Sequence, residues 1–309
     1  MQSHGKFNSC IYFAKAKKNY ETIILHHINE EQYKDAINNL RFIKDESVNE
    51  LLYRYCHVFM KHEPGINNKK YEFFSFSIFS FYYLYFKIAL TVELLQNHIK
   101  TKYDPTKLIP ALMDIPPEHR QHGINFLKYC IEVKGCKEKT IYNILIFFLS
   151  EEEKLDALYD FLRKQEEYVA HEENIHFDLD FALRIFKRKN IVIGQISIYG
   201  MMGLYNEAVT LALENNEIEV AKTYAEKPEN EDLKKKLWLQ IAVHLFNKGT
   251  DIEQVIKLTK ETNLIKIEDL LPYFNENIKI EHFKEEICNS LNEYNSQIES
   301  LKVILHFYK

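Results

Sequence analysis

The sequence predicts an all-α fold, an α-solenoid of antiparallel helix hairpins that ends in a coiled-coil-like helix. Three observations predict it. The 309 residues hold only 8 glycines and 7 prolines, too few for a loop-rich β protein. One pattern of large and small apolar residues at helical spacing recurs along the chain, with no Gly/Ser linker between its copies. From Ile280 onward the apolar residues switch to a narrow seam of alternating three- and four-residue steps.

The first hairpin is ILHHINEEQYKDAINNLRFI, with one helix ending near His27 and the next starting near Glu30. Its Tyr33, Ala36, Ile37 and Leu40 have the spacing of Tyr205, Ala208, Val209 and Ala212 in IYGMMGLYNEAVTLALENNEIEVAKTYAEKP, where Val220, Ala221 and Tyr224 follow on a second helix. Ile252, Val255 and Ile256 repeat the opening of that spacing. A small residue three positions after a large one lets neighbouring helices approach, while the large one fills the groove. A single hairpin cannot bury its stripe, so each must stack on the next. The copies are too degenerate to give a period. In DPTKLIPAL, Asp104 is suited to cap a helix and Pro105 to occupy its first turn. In DIPPEHR, Pro116 and Pro117 end one helix and open another. The expected organisation is residues 1–64 as the start of the solenoid, 65–90 as an aromatic-rich insertion, 91–278 as the main solenoid and 279–309 as the terminal helix.

The insertion stands apart. From Phe73 to Phe86 fourteen residues carry no charge, and ten of the sixteen from Tyr71 to Phe86 are Phe or Tyr. A spanning helix needs about 20 apolar residues, so this run is short unless Lys87 snorkels. Three readings stand: a real insertion, a retained intron, and a membrane anchor over residues 71–92. For the intron, Gly65-Ile66 can be encoded with a splice donor and Ile88-Ala89 with an acceptor, around a pyrimidine-rich tract that would translate as Phe, Ser and Leu.

The terminal seam runs through Phe283, Ile287, Leu291, Tyr294, Ile298, Leu301, Leu305 and Tyr308, a heptad pattern with one stutter, flanked by polar residues such as Glu285, Asn292, Glu293 and Glu299. Two readings stay open, a last solenoid helix packed on its predecessor and a coiled coil offered to a partner. In the second, the partner-binding residues are Phe283, Ile287, Leu291, Tyr294, Ile298 and Leu301.

Other chemistry is sparse. A net charge of -5 argues against a nucleic-acid binder, which needs excess Lys and Arg. The basic runs Lys187-Arg188-Lys189 and Lys234-Lys235-Lys236 read as solvated helix faces rather than a phosphate site. Five scattered cysteines form no CxxC pair and suit a reducing compartment; the start, MQSHGKFNSC, has no apolar core of signal-peptide length, so a cytosolic protein is expected. In HEENIH (171–176) the histidines are five apart, which places them on different helix faces. His119 and His122 are one turn apart but lack a third ligand and read as solvent-exposed. Asp178 and Asp180 read as caps and helix-dipole partners. No phosphate-binding glycine loop and no nucleophile elbow occurs. No catalytic residue and no cofactor is expected, and the chain reads as a non-enzyme.

Several runs in order carry a resemblance: DPTKLIPALM, QHGINFLKYCIE, SIYGMMGLYNEAVTLAL, KKKLWLQIAVHL, KIEDLLPYF and IEHFKEEICNSLNEYNSQIESLK. Together they resemble the late part of the vacuolar protein sorting-associated protein 18 family (deep orange, Pep3), over about Tyr12 to Lys302 apart from the stretch near Gly65 to Ile88. The resemblance implies a clathrin-heavy-chain-type repeat and a core subunit of the HOPS and CORVET tethering complexes. It implies other complex subunits as partners, peripheral attachment to the cytosolic face of late-endosomal and vacuolar or lysosomal membranes, and no nucleic acid. The family's amino-terminal β-propeller is expected to be absent here, since the sequence begins within the solenoid. Its zinc-binding RING is expected to be absent too, because VILHFYK after Lys302 has no Cys or His ligand pairs. The alternatives are a RING-less ubiquitin-ligase-type scaffold and a membrane-anchored helical adaptor.

Overall fold

A computed structural model describes residues 7–43, 47–60, 88–96, 104–170, 175–248, 255, 257, 258, 262, 264–273 and 284–307. Among these residues every regular element is helical. The chain divides into two compact units, Met1–Leu158 with Ile175–Asp178, and Tyr159–Asn174 with Leu179–Lys309. Most of the aromatic insertion lies outside the described residues. Its last three, 88–90, belong to the helical residues 88–96 (α5), which run across the expected boundary at residue 90.

The first unit starts with α1 (Phe7–Ala16), α2 (Tyr20–Asn29), α3 (Tyr33–Phe42) and α4 (Ser47–Met60). Helix α2 packs on α1 and α3. As the spacing predicts, Ala36, Ile37 and Leu40 are fully buried, with Ile23 and Ile24 of α2 also inside. A 3-10 turn at Pro105–Leu108 leads into α6 (Ile109–Met113), and both pack on α4. Here the expected cap is present. Asp104 Oδ1 accepts from the Thr106 N–H (2.9 Å) and the Thr106 hydroxyl (2.6 Å), and Pro105 takes the first turn. These bonds, the hydroxyl's first, hold the Asp104 carboxyl below its ordinary range. The Asp104 N–H donates to the Tyr53 hydroxyl (2.7 Å), tying the turn to α4. Pro117 opens a short 3-10 turn, Pro117–His119, ahead of α7 (Arg120–Glu132), which packs on α8 (Lys139–Glu151). Arg120 reaches Glu151 at 3.0 Å and lies over the Phe148 ring at 5.3 Å.

In the second unit α9 (Asp156–Ala170), most of which belongs here, precedes α10 (Leu179–Lys189), α11 (Val192–Met201), α12 (Tyr205–Glu214), α13 (Ile218–Glu226) and α14 (Glu231–Asn247). From α10 to α14 each helix packs on the next. Small residues set the spacing: Ala182, Ala208, Ala212, Ala221, Ala225 and Ala242 are all fully buried. The expected Val209 and Tyr224 lie in the core beside Leu237, Trp238 and Ile241. Val255 is buried as well, while Ile252 and Ile256 lie outside the described residues.

A period does exist, and it resides in the corners. Lys18, Glu31, Asn190, Gly203 and Asn216 have positive φ, from 55 to 74°. Each follows a helix end and donates its N–H three residues back, as in Asn216 to Leu213 O (3.1 Å). The next residue donates five back: Asn19 to Ala14 O, Gln32 to His27 O, Ile191 to Phe186 O, Leu204 to Tyr199 O and Glu217 to Ala212 O, at 2.7–2.9 Å. This is the Schellman pair of bonds, which satisfies the last carbonyls of one helix. That same next residue is already the N-cap of the following helix. These corner residues therefore lie 13 positions apart within two runs, at 18 and 31 and at 190, 203 and 216, while Gly135, with φ +62°, lies outside the series. The corner also explains why α3 begins at Tyr33 rather than near Glu30, since Glu30 to Gln32 form the turn.

Tyr224 locks the second unit. Its hydroxyl donates to Glu166 Oε1 (2.6 Å) and lies 3.3 Å from Ser197 Oγ. Lys227 bonds Glu166 Oε2 (2.5 Å) while lying 4.1 Å above the Tyr224 ring. The ring passes over Gly200 so closely that an added Cβ would sit 2.2 Å from it. A methyl at Gly203 would meet nothing, and the cost there comes only from its φ of +74°.

Two predictions follow from these contacts. Gly200→Ala should lower stability by about 2–3 kcal/mol through overpacking against a pinned ring, and Gly203→Ala by about 1 kcal/mol through left-handed strain; urea midpoints rank the two, and equal costs would show that the ring moves freely. Burial, then the Glu166 charge, raises the Tyr224 phenol far above its ordinary value. The neutral phenol is the form the fold favours. Its stabilisation is complete below the unfolded pKa of about 10 and is lost as pH rises beyond it. Between about pH 9 and pH 11.5 the wild type should lose more stability than Tyr224→Phe, in which the other tyrosines are unchanged.

Candidate partner-binding helix

The terminal helix, α16 (Lys284–Phe307), has 24 residues and is about 36 Å long at 1.5 Å per residue. It packs on α15 (Ile267–Leu270), a single turn. Lys235 of α14 holds Asp269 at 2.8 Å, and Asp269 Oδ2 also accepts from the Lys266 N–H at 3.0 Å. This carboxylate fixes α15 to α14 and caps its start.

The seam residues divide between two environments. Ile287 is half-buried and packs against the core of the second unit. Tyr294 donates its hydroxyl to Glu268 Oε2 (3.0 Å), and the Lys266 ammonium lies 5.0 Å over its ring. The bond to Glu268, before any other cause, raises the Tyr294 phenol above its ordinary value. Leu291, Ile298 and Leu301 are 57, 48 and 57% exposed. Phe283 lies outside the described residues. Ile287 and Tyr294 are one heptad apart and both meet the second unit, Ile287 at its core and Tyr294, itself 40% exposed, through Glu268; Leu291 and Ile298, also one heptad apart, are exposed. The role of Tyr294 as an anchor was not readable from the seam, because Glu268 and Lys266 come from another element.

Elsewhere, one expectation is corrected. His119 is buried, 2% exposed, and His122 is half-buried; the 3-10 turn after Pro116 turns the first imidazole inward at the start of α7. Burial, then the neighbouring His119, lowers the His122 pKa. Of HEENIH, residues 171–174 lie outside the described residues, and His176 rests 5.5 Å from the Tyr142 ring. Asp180 sits in the first turn of α10. No three His, Cys, Asp or Glu side chains converge on a metal site among the described residues. Cys56 and Cys130 are buried as small apolar fillers, and burial pushes the Cys56 thiol up to about 12. Lys187, Arg188 and Lys189 are exposed in the last turn of α10, whereas Lys234 and Lys235 pair with Glu226 and Asp269. A cleft between α12 and α14 is lined by Leu213, Glu214, Val243 and His244 and bridged by the Gln240–Thr210 bond (2.8 Å). Burial, then Lys248, lowers the His244 pKa. No described helix is long and apolar enough to cross a membrane; residues 61–87, with most of the proposed anchor, lie outside the described residues.

Comparison with known proteins agrees with the helical architecture. Residues 81–246 match the family model described as VPS18, alpha-solenoid domain, second half. A zebrafish (Danio rerio) vacuolar protein sorting-associated protein 18 homolog is 33% identical over 307 residues, covering 98% of this chain and 28% of the relative. Vacuolar sorting protein 18 of Arabidopsis thaliana is 31% identical, covering 98% of this chain and 29% of the relative. Vacuolar membrane protein pep3 of Schizosaccharomyces pombe is 24% identical, covering 97% of this chain and 30% of the relative. The chain thus spans less than a third of the length of these relatives. With more than half of it inside the solenoid match, the chain belongs to the VPS18 family.

Proposed function

We propose that this chain is a non-enzymatic scaffold portion of a vacuolar protein sorting subunit, acting in a HOPS- or CORVET-type complex that tethers endosomal and vacuolar membranes before fusion. The observation that carries the reading is a helix rooted in a VPS18-type solenoid by Ile287 and Tyr294 that leaves Leu291, Ile298 and Leu301 exposed. Stacked helix pairs separate binding ends and distribute their contacts, which suits a tether better than a pocket enzyme. Other complex subunits dock on α16, and the protein sits peripherally on the cytosolic face of late-endosomal or vacuolar membranes.

The protein carrying Leu291→Asp with Ile298→Asp should lose at least about tenfold of its co-purification with other complex subunits, since two charges would be driven into an apolar contact. The helical circular dichroism should stay near wild type, because neither residue belongs to the core. Undiminished co-purification would place the docking surface elsewhere. Alkaline carbonate should release the protein from membranes; retention in the pellet would favour an anchor within residues 71–92.

A further inference from the structure

A two-stranded coiled coil needs both rows of its heptad seam. In α16 one row, Ile287 and Tyr294, is spent on the core and on α15, while Leu291, Ile298 and Leu301 are open. The contact that holds Tyr294 has a defect. Glu268 Oε1 is buried without a hydrogen-bond partner among the described residues while Oε2 accepts from Tyr294. An unpaired buried carboxylate oxygen disfavours the closed clamp, so the contact is poised to be exchanged.

The flanking positions say what fits. With Leu291 and Ile298 in one row and Tyr294 and Leu301 in the other, the flanks are Ser290, Asn295, Gln297 and Lys302. Three are uncharged, and the Lys302 ammonium is held by Glu299 at 2.9 Å in its own helix. Charged flanks normally select a coiled-coil partner; of these four only Lys302 is charged, and Glu299 already pairs it.

We propose that the clamp formed by Tyr294, Glu268 and Lys266 is an autoinhibitory contact on the docking seam, and that the seam receives one amphipathic helix of a different protein with an apolar stripe and uncharged flanks. The incoming helix takes Tyr294 from Glu268, completes the second row and frees the start of α16 from α15. This rests on the docking role of α16 proposed above, and the two fail separately.

The test uses the 309-residue chain and a labelled synthetic peptide of about four heptads with a leucine core and glutamine flanks, followed by fluorescence anisotropy. Glu268→Ala, which removes the acceptor without touching the seam, should tighten binding by about five- to tenfold. Glu268→Gln keeps an acceptor and should fall between it and wild type. Amide exchange over residues 284–294 should quicken in Glu268→Ala without any peptide. Raising salt from about 50 to 500 mM should change affinity less than about twofold, because the single flanking charge, Lys302, is already paired with Glu299 in its own helix. Unchanged or weaker binding by Glu268→Ala overturns the clamp. Sedimentation of the free chain as a concentration-dependent dimer, or tighter binding of a peptide with lysine or glutamate flanks, overturns the stated occupant. Binding that survives Leu291→Asp with Ile298→Asp overturns the docking role itself.

Discussion

The left-handed corner is the constraint on which the stacked helices depend. A helix ends with unpaired carbonyls, and a hairpin of ten-residue helices ends often. At Asn190, Gly203 and Asn216 one residue with positive φ brings two N–H groups back onto those carbonyls. The following residue at once starts the next helix, so the chain reverses in two or three residues with its backbone polar groups satisfied. Asn and Gly adopt this conformation readily. Lys18 and Glu31 do so less readily, and each sits at the corner between two helices that pack on each other.

Tight corners bring neighbouring helices into contact, which settles what lies between them. Ala208, Ala212, Ala221 and Ala225 allow close approach, and the larger Val209, Tyr224 and Trp238 fill what remains. The polar tips of the large residues then need partners. Tyr224 finds Glu166, and the Trp238 indole donates to Glu226 Oε1 at 2.7 Å. Glu166 lies on α9 and Tyr224 on α13, so the hydroxyl joins helices that are distant in sequence. Buried tips satisfied in this way specify one stacking register among the many that a degenerate apolar stripe would permit.

What could be read from the sequence was what local chemistry determines. Tyr33, Ala36, Ile37 and Leu40 announce a buried stripe by spacing alone, and Asp104-Pro105 announces a helix start by the donors it satisfies and the one it lacks. The ordered runs from DPTKLIPALM to IEHFKEEIC pointed to the family that the solenoid match identifies. The 13-residue period was invisible because its marker is a dihedral angle shared by Lys, Glu, Asn and Gly, which have no side-chain property in common. His119 was misjudged for a related reason. A polar residue after two prolines looks like surface, yet the 3-10 turn rotates it inward. Tyr294 shows the limit most clearly: it fits the heptad seam, but its hydroxyl answers to Glu268, twenty-six residues away on another helix.

The two faces of α16 follow from a mismatch of lengths. A single-turn helix of four residues such as α15 extends about 6 Å, against about 36 Å for α16. It can therefore cover one or two residues of the stripe, and Tyr294 with Ile287 is what α15 and the adjoining core reach. A stripe wide enough for a partner needs both rows, so whichever surface holds one row leaves the other incomplete for binding. An anchored helix with an open outer row is thus a compromise between being held and being available. On the clamp proposed above, the Glu268 oxygen that has no hydrogen-bond partner among the described residues puts the balance at Tyr294 rather than in the core, where Ile287 is the deeper attachment.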